Sequence, residues 1–134
     1  MLSYWRIARV DHWLKNVFVL PGIALALLMT PVDIAAAWPW ALLGLLSVCL
    51  IASANYTINE FLDAEFDRHH PSKKDRPGAR GQLEAHYVAL QYGLLASLGL
   101  AMGFAVGTQF LVVSVALLVM GVVYNVAPLS LIHI

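Results

Sequence analysis

Long apolar stretches separated by short polar segments dominate this chain and predict four membrane-crossing helices. Each stretch approaches or exceeds the roughly 17–25 residues that an α-helix needs to span a bilayer. The first 16 residues instead mix aromatic and basic side chains, as a helix lying at the lipid–water boundary does. The pattern predicts an all-α integral membrane bundle whose helices cover about residues 14–29, 34–66, 84–106 and 109–126.

Prolines and polar residues mark the ends of these predicted helices. Pro31 should end the first, and the Asp33 side chain can cap the second. The second helix would be roughly 50 Å long, against about 30 Å for a hydrocarbon core. Its last two turns are therefore predicted to protrude, followed by a polar loop at 68–82.

Composition excludes a soluble globular domain. Hydrophobic residues make up 60% of the chain and charged residues 12%, with a mean hydropathy of +0.75. A zero net charge gives no support for a nucleic-acid partner, and the single Cys49 cannot form an intrachain disulfide. A cleaved signal peptide is disfavoured, because Asp11 and two tryptophans interrupt the basic N-terminal region.

The cationic residues predict the orientation of the chain. No Lys or Arg occurs in the connections 30–38 and 107–109, which would lie on one side of the membrane. By the positive-inside rule, the N-terminus and the 68–82 loop are predicted to be cytoplasmic. All eight cations fall in two patches on that side: Arg6, Arg9 and Lys15, then Arg68, Lys73, Lys74, Arg76 and Arg80.

An acidic face lies at the C-terminal end of the second predicted helix. Asn59, Asp63 and Asp67 are four residues apart, so they drift only about 40° per step around a helix. Carboxylate and amide oxygens are the ligands that Mg²⁺ prefers. A solvated helix end is the alternative, but Asn55 extends the polar stripe into the membrane and favours a metal site. Glu60 points away from this face and is expected to pair with loop cations.

The basic loop could hold phosphate oxygens beside such a metal. Lys73 and Arg76 follow the acidic face within ten residues. On charge alone, the orientation signal explains these residues better than a phosphate site does. His69 and His70 are adjacent, so they point apart, and solvated loop histidines explain them better than a transition-metal site.

The acidic and basic residues together resemble the first aspartate-rich motif of UbiA-type membrane prenyltransferases. That motif reads Asn-Asp-x-x-Asp-x-x-x-Asp, with Arg-Pro nine residues after its last aspartate. Here Asn59, Asp63, Asp67 and Arg76-Pro77 match it, while Glu60 stands in place of the usual aspartate.

Two further stretches strengthen the resemblance. The sequence Asp11-His12-Trp13-Leu14-Lys15-Asn16 resembles the W-x-K-N form found in the family's branch that makes decaprenylphosphoryl phosphoribose. The sequence Tyr124-Asn125-Val126-Ala127-Pro128 resembles the beginning of the family's Tyr-x-x-x-Pro-x-Arg-x-Lys motif. The Arg and Lys of that motif are missing, so residues 130–134 are expected not to be native family sequence.

The resemblance implies a Mg²⁺-dependent transferase that acts on a diphosphate donor. It predicts Asn59, Asp63 and Asp67 as magnesium ligands and Asp63, Asp67 and Tyr124 as catalytic residues. Its predicted diphosphate-binding residues are Lys15, Asn16, Lys73 and Arg76.

Two reactions of the family remain open. One is prenyl transfer to an aromatic acceptor, and the other is phosphoribosyl transfer from phosphoribosyl pyrophosphate to a polyprenyl phosphate. The implied partners are the polyprenyl lipid, the donor or aromatic acceptor, and the bilayer of a bacterial-type inner membrane. A small transporter or cation-binding protein is the alternative from another class.

The resemblance also predicts what is missing. Family members have nine membrane helices and a second aspartate-rich motif, whereas this chain holds about four helices and one motif. Residues 1–134 are therefore expected to be a partial, truncated transmembrane domain that is inactive by itself.

Overall fold

Every regular element in the described part of the chain is helical. The computed structural model describes residues 2–31 and 33–126. The predicted all-α class is confirmed, and four segments are long and apolar enough to cross a membrane. The helices are α1 (Leu2–Ile7), a 3₁₀ helix (Val10–Val19), α2 (Leu20–Met29), α3 (Ile34–Leu62), α4 (Ala64–His69), α5 (Ala85–Val106) and α6 (Thr108–Val126).

Helix α3 forms the centre of the bundle and packs against both α5 and α6. Small residues let the helices approach closely, as is common between membrane helices. The buried Ser47 hydroxyl donates a 2.7 Å hydrogen bond to the carbonyl oxygen of Gly99 on α5. Ile51 is fully buried against the same glycine. These contacts hold α3 in register with α5.

The N-terminal region differs from the predicted interfacial helix 1–16 and membrane helix 14–29. Helix α1 ends at Ile7, because Arg9 adopts a left-handed conformation with φ 48° that no α-helix continues. A 3₁₀ helix then runs to Val19. Pro21, at the start of α2, has no N–H for an α-helical bond to the preceding turn.

The predicted helix 34–66 also divides into two. Asp33 caps its start by accepting a 2.9 Å hydrogen bond from the Ala35 amide, but α3 ends at Leu62 and α4 begins at Ala64. Helical hydrogen bonding continues through the junction, since the Asp63 amide donates to the Asn59 carbonyl at 2.9 Å. Pro128 and the suspected non-native residues 130–134 lie outside the described residues.

Candidate functional site

The first half of the predicted site lies between the end of α3 and the end of α6. The Asn59 amide donates to Asp63 Oδ2 at 3.0 Å and to Asn125 Oδ1 at 2.7 Å. Asn59 therefore orients the Asp63 carboxylate, and Asn125 on α6 holds Asn59 in place. The second oxygen of Asp63 has no hydrogen-bond partner within 2–31 and 33–126.

The second half of the site pairs Asp67 with two loop cations. Only 5% of the Asp67 side chain is exposed. Arg76 Nη1 donates to Asp67 Oδ2 at 2.8 Å, and Lys73 Nζ lies 3.8 Å from Oδ1. The structure thus brings together the predicted residues Asp67, Lys73 and Arg76. The charge-assisted bond from Arg76 is the stronger contact, because it is a full ångström shorter.

The loop is folded against the acidic end of α3. Gly78 lies so close to the Glu60 carbonyl oxygen that a Cβ added there would overlap it. Arg68 donates from Nε to the Ala79 carbonyl at 3.1 Å and closes the loop back onto α4. This close approach places Arg76 beside Asp67 and accompanies the interruption of the helix at Asp63.

A polar contact deeper in the bundle supports the Asn59–Asp63 pair. Asn55 lies one turn earlier on α3 and donates to the Leu117 carbonyl of α6 at 3.2 Å. Its Oδ1 atom is buried and has no partner in the described part of the chain. Gly121 faces this amide so closely that any side chain there would overlap Asn55. The asparagine stripe is therefore the surface on which α6 packs.

Three other predicted residues are not brought into direct contact with the two aspartates. Asn16 donates to Cys49 Sγ at 3.2 Å, and Cys49 lies ten residues, about 15 Å along the helix, before Asn59. Lys15 is exposed and forms no ion pair with any described residue. Tyr124 precedes Asn125 and is half exposed.

Glu60 pairs with the N-terminal segment instead of the expected loop cations. Arg9 Nη2 lies 3.2 Å from Glu60 Oε2, and only 3% of the Glu60 side chain is exposed. The Arg9 guanidinium also lies 5.2 Å from the centre of the Tyr56 ring. The expectation was wrong because the left-handed turn at Arg9 brings its side chain to α3. A separation of 51 residues gives no sequence signal for that contact.

The donor chemistry at Asp63 fits a hard cation. Mg²⁺ commonly takes one or two protein carboxylates and completes its shell with phosphate oxygens and water. Asp63 offers an oxygen that no residue in the described ranges contacts, and Asp67 offers a second carboxylate that is already held by cations. No three His, Cys, Asp or Glu side chains converge within the described ranges. The site therefore suits a metal that a diphosphate helps to coordinate.

Comparison with known proteins identifies the class of protein that this geometry belongs to. The model of the UbiA prenyltransferase family matches residues 17–133. The chain belongs to this family of integral membrane enzymes, as the resemblance predicted.

Several curated proteins are similar to the chain. Nodulation protein NoeC of Azorhizobium caulinodans is 28% identical over 130 residues, covering 92% of this chain and 39% of that protein. Decaprenyl-phosphate phosphoribosyltransferase of Corynebacterium glutamicum is 34% identical over 109 residues, covering 77% and 29%. 4-Hydroxybenzoate octaprenyltransferase of Burkholderia cenocepacia is 32% identical over 92 residues, covering 68% and 32%. The chain thus spans 29–39% of the length of these relatives. No solved structure gave a significant match.

Proposed function

We propose that this chain contributes the first diphosphate-binding half of a transferase active site at the cytoplasmic face of a bacterial-type inner membrane. The observation that carries the proposal is the adjacency of two carboxylate environments on successive turns. Asp63 is oriented by an amide and has one oxygen without a partner among the described residues, while Asp67 is held against Arg76 and Lys73.

The two carboxylates have different roles in this proposal. Asp63, with Asn59, would hold Mg²⁺, and the ion would supply Lewis-acid stabilisation of the leaving diphosphate. Asp67 keeps Arg76 and Lys73 close to that position, where their charges stabilise phosphate oxygens. Asn125 fixes the Asn59 amide from α6 and so keeps Asp63 pre-organised.

The substrates follow from the family and from the relatives. The donor is either a prenyl diphosphate, with an aromatic acceptor, or phosphoribosyl pyrophosphate, with a polyprenyl phosphate acceptor. Relatives named for each activity are 32% and 34% identical to this chain. The residues Trp13, Lys15 and Asn16 support the phosphoribosyl branch through their resemblance to W-x-K-N.

Turnover with paired substrates tests the proposal. The product of the complete gene is reconstituted in liposomes with Mg²⁺ and supplied with radiolabelled phosphoribosyl pyrophosphate and a polyprenyl phosphate. A second arm supplies a prenyl diphosphate and 4-hydroxybenzoate. Mg²⁺-dependent product in one arm supports the proposal and selects the reaction, whereas product in neither arm contradicts it.

The transporter alternative gives a different result. It predicts divalent-cation flux into liposomes with no donor or acceptor present. Membership of the prenyltransferase family favours transfer chemistry over transport.

A further inference from the structure

A polar cavity lies on the Glu60 side of α3, between the N-terminal segment and the 68–82 loop. Its volume is about 540 Å³, and its walls include residues from α1, the 3₁₀ helix, α3 and the loop. This is within the range of roughly 300–1,000 Å³ that is usual for small-ligand sites. Asn59 and Asp63 do not line it, but Arg76 does, so the cavity adjoins the proposed diphosphate site without containing the proposed metal ligands.

Glu60 supplies the strongest indication of a ligand in this cavity. Its Oε2 atom accepts from Arg9, but its Oε1 atom is buried with no partner in the described part of the chain. An unpaired carboxylate oxygen in such a position is costly. Glu60 itself lines the cavity, so a ligand bound there can bring a donor to this carboxylate while Arg9 keeps its contact with Oε2.

Two of the three arginines that line the cavity form ion pairs with described residues. Arg9 pairs with Glu60, and Arg76 pairs with Asp67. Arg6 also lines the cavity but forms no ion pair within the described residues. The acids Asp11 and Asp75 are already next to partners, His12 at 3.6 Å and Arg80 at 2.7 Å. Among the described lining residues, Arg6 is a cation without an ion pair, and Glu60 Oε1 is a buried acceptor without a partner.

We propose that this cavity binds a phosphate ester that also carries an N–H or O–H donor. The phosphate would pair with Arg6, and the donor would satisfy Glu60 Oε1. A simple anion would leave Glu60 unsatisfied, and a simple cation would leave Arg6 unused. The ligand can come from solution or from the headgroup of a membrane phospholipid, because both sources share this chemistry.

Phosphoethanolamine and phosphocholine form a matched pair of soluble probes. Both carry a phosphate and a positive nitrogen, but only phosphoethanolamine has N–H donors. Titration of the chain in nanodiscs, followed by calorimetry, should show phosphoethanolamine binding about tenfold more tightly than phosphocholine. Equal affinity, or no saturation by either probe below about 10 mM, would overturn the proposal.

Variants of Glu60 and Arg6 test whether these two residues bind the ligand. Glu60→Gln should remove most of the preference for phosphoethanolamine, because a neutral amide is a weaker acceptor than a carboxylate. Exposed Glu65, on α4, gives the control Glu65→Gln, which should keep the full preference. A Glu60→Gln chain that folds and retains the preference would contradict the proposal.

Arg6→Gln keeps the test decisive if Glu60→Gln fails to fold. Arg6 is exposed and unpaired within the described residues, so its replacement should leave the fold intact. Binding of both probes should weaken about fivefold in Arg6→Gln and stay unchanged in the control Lys74→Gln. Equal loss in both variants would show only nonspecific attraction to positive charge.

A lipid arm distinguishes the two sources of ligand. Native mass spectrometry of the chain from mixed nanodiscs should show phosphatidylethanolamine retained over phosphatidylcholine if a headgroup occupies the cavity. Selectivity confined to the soluble probes would support the proposal with a soluble ligand. Absence of selectivity in both arms would refute the proposal while leaving the Asp63 site untouched.

Discussion

Glu60 and Asp67 are two buried carboxylates, seven residues apart, that reach their partners in opposite ways. Asp67 pairs with Arg76, nine residues later, through a loop that folds directly back onto the helix end. Glu60 pairs with Arg9, which is 51 residues away and belongs to a different element. The first pairing joins residues that are close in the sequence, whereas the second depends on how the N-terminal segment crosses α3. The comparison shows that residue spacing finds a site only when one short segment supplies both sides.

The largest predicted effect is the loss of turnover when Asp63 is replaced, the carboxylate one turn before Asp67. Asp63→Ala in the complete gene product should lower turnover at least about 1,000-fold, because a preorganised charge at the leaving group is lost. Membrane insertion should be unchanged. Steady-state turnover in liposomes measures this effect, and exposed Glu65→Ala on the neighbouring turn is the control. Unchanged turnover in Asp63→Ala would remove it from the site.

Breaking the long-range pair should mainly affect stability. Arg9→Ala would leave the Glu60 carboxylate buried and unpaired, at a cost of about 3 kcal/mol in the free energy of unfolding. Denaturant titration of the chain in detergent micelles measures the loss. Arg6→Ala, which lacks an ion pair among the described residues, should change stability by less than about 0.5 kcal/mol.

A double variant distinguishes the contribution of the Arg9–Glu60 ion pair from that of the other contacts of Arg9. Adding Glu60→Gln to Arg9→Ala should recover part of the loss, since the double variant no longer buries an unpaired charge at position 60. Additive losses would show that Arg9 acts through its packing on Tyr56 instead.

The α6 side of the site should respond to a single added methyl group. Gly121→Ala would place a Cβ against the Asn55 side chain and should cost about 1–3 kcal/mol by forcing α6 away from α3. The matched control is Gly93→Ala, because nothing lies within 4 Å of the position where its Cβ would be. That control should be neutral or slightly stabilising, since alanine favours helix over glycine. Equal losses in both variants would argue against the close approach at Gly121.

The smallest predicted effect is a change in the pKa of Asp75, which forms an exposed ion pair with Arg80 in the 68–82 loop. A hydrogen bond from Arg80, together with its positive charge, holds the pKa of Asp75 below its ordinary value. A carboxyl group with a lowered pKa in the folded state contributes stability above its unfolded pKa, and that contribution disappears as the pH falls through the folded pKa. In Arg80→Gln the pKa of Asp75 should rise toward its ordinary value, as measured by carboxyl-carbon NMR. An unchanged pKa would show that the Asp75–Arg80 contact does not form in solution.

Some of the site was predictable because single segments encode it. Four-residue spacing placed Asn59 and Asp63 in hydrogen-bond reach, and one short loop returned Arg76 to Asp67. Asn125 belongs to the Tyr124 motif, but nothing in that motif marks it as the residue whose side chain contacts Asn59. Its place on the inner face of α6 depends on which side of that helix packs against α3.

The sequence by itself determined the helical membrane class, the family and the acidic segment with its basic loop. Apolar run length and local spacing carry that information, because helix geometry is nearly constant. Only the tertiary structure decided that Arg9 turns left-handed onto Glu60, that α3 ends at Leu62 and that Asn16 contacts Cys49. Those features arise where segments that are far apart in the sequence come into contact. Local residue spacing carries no information about which distant segments will meet.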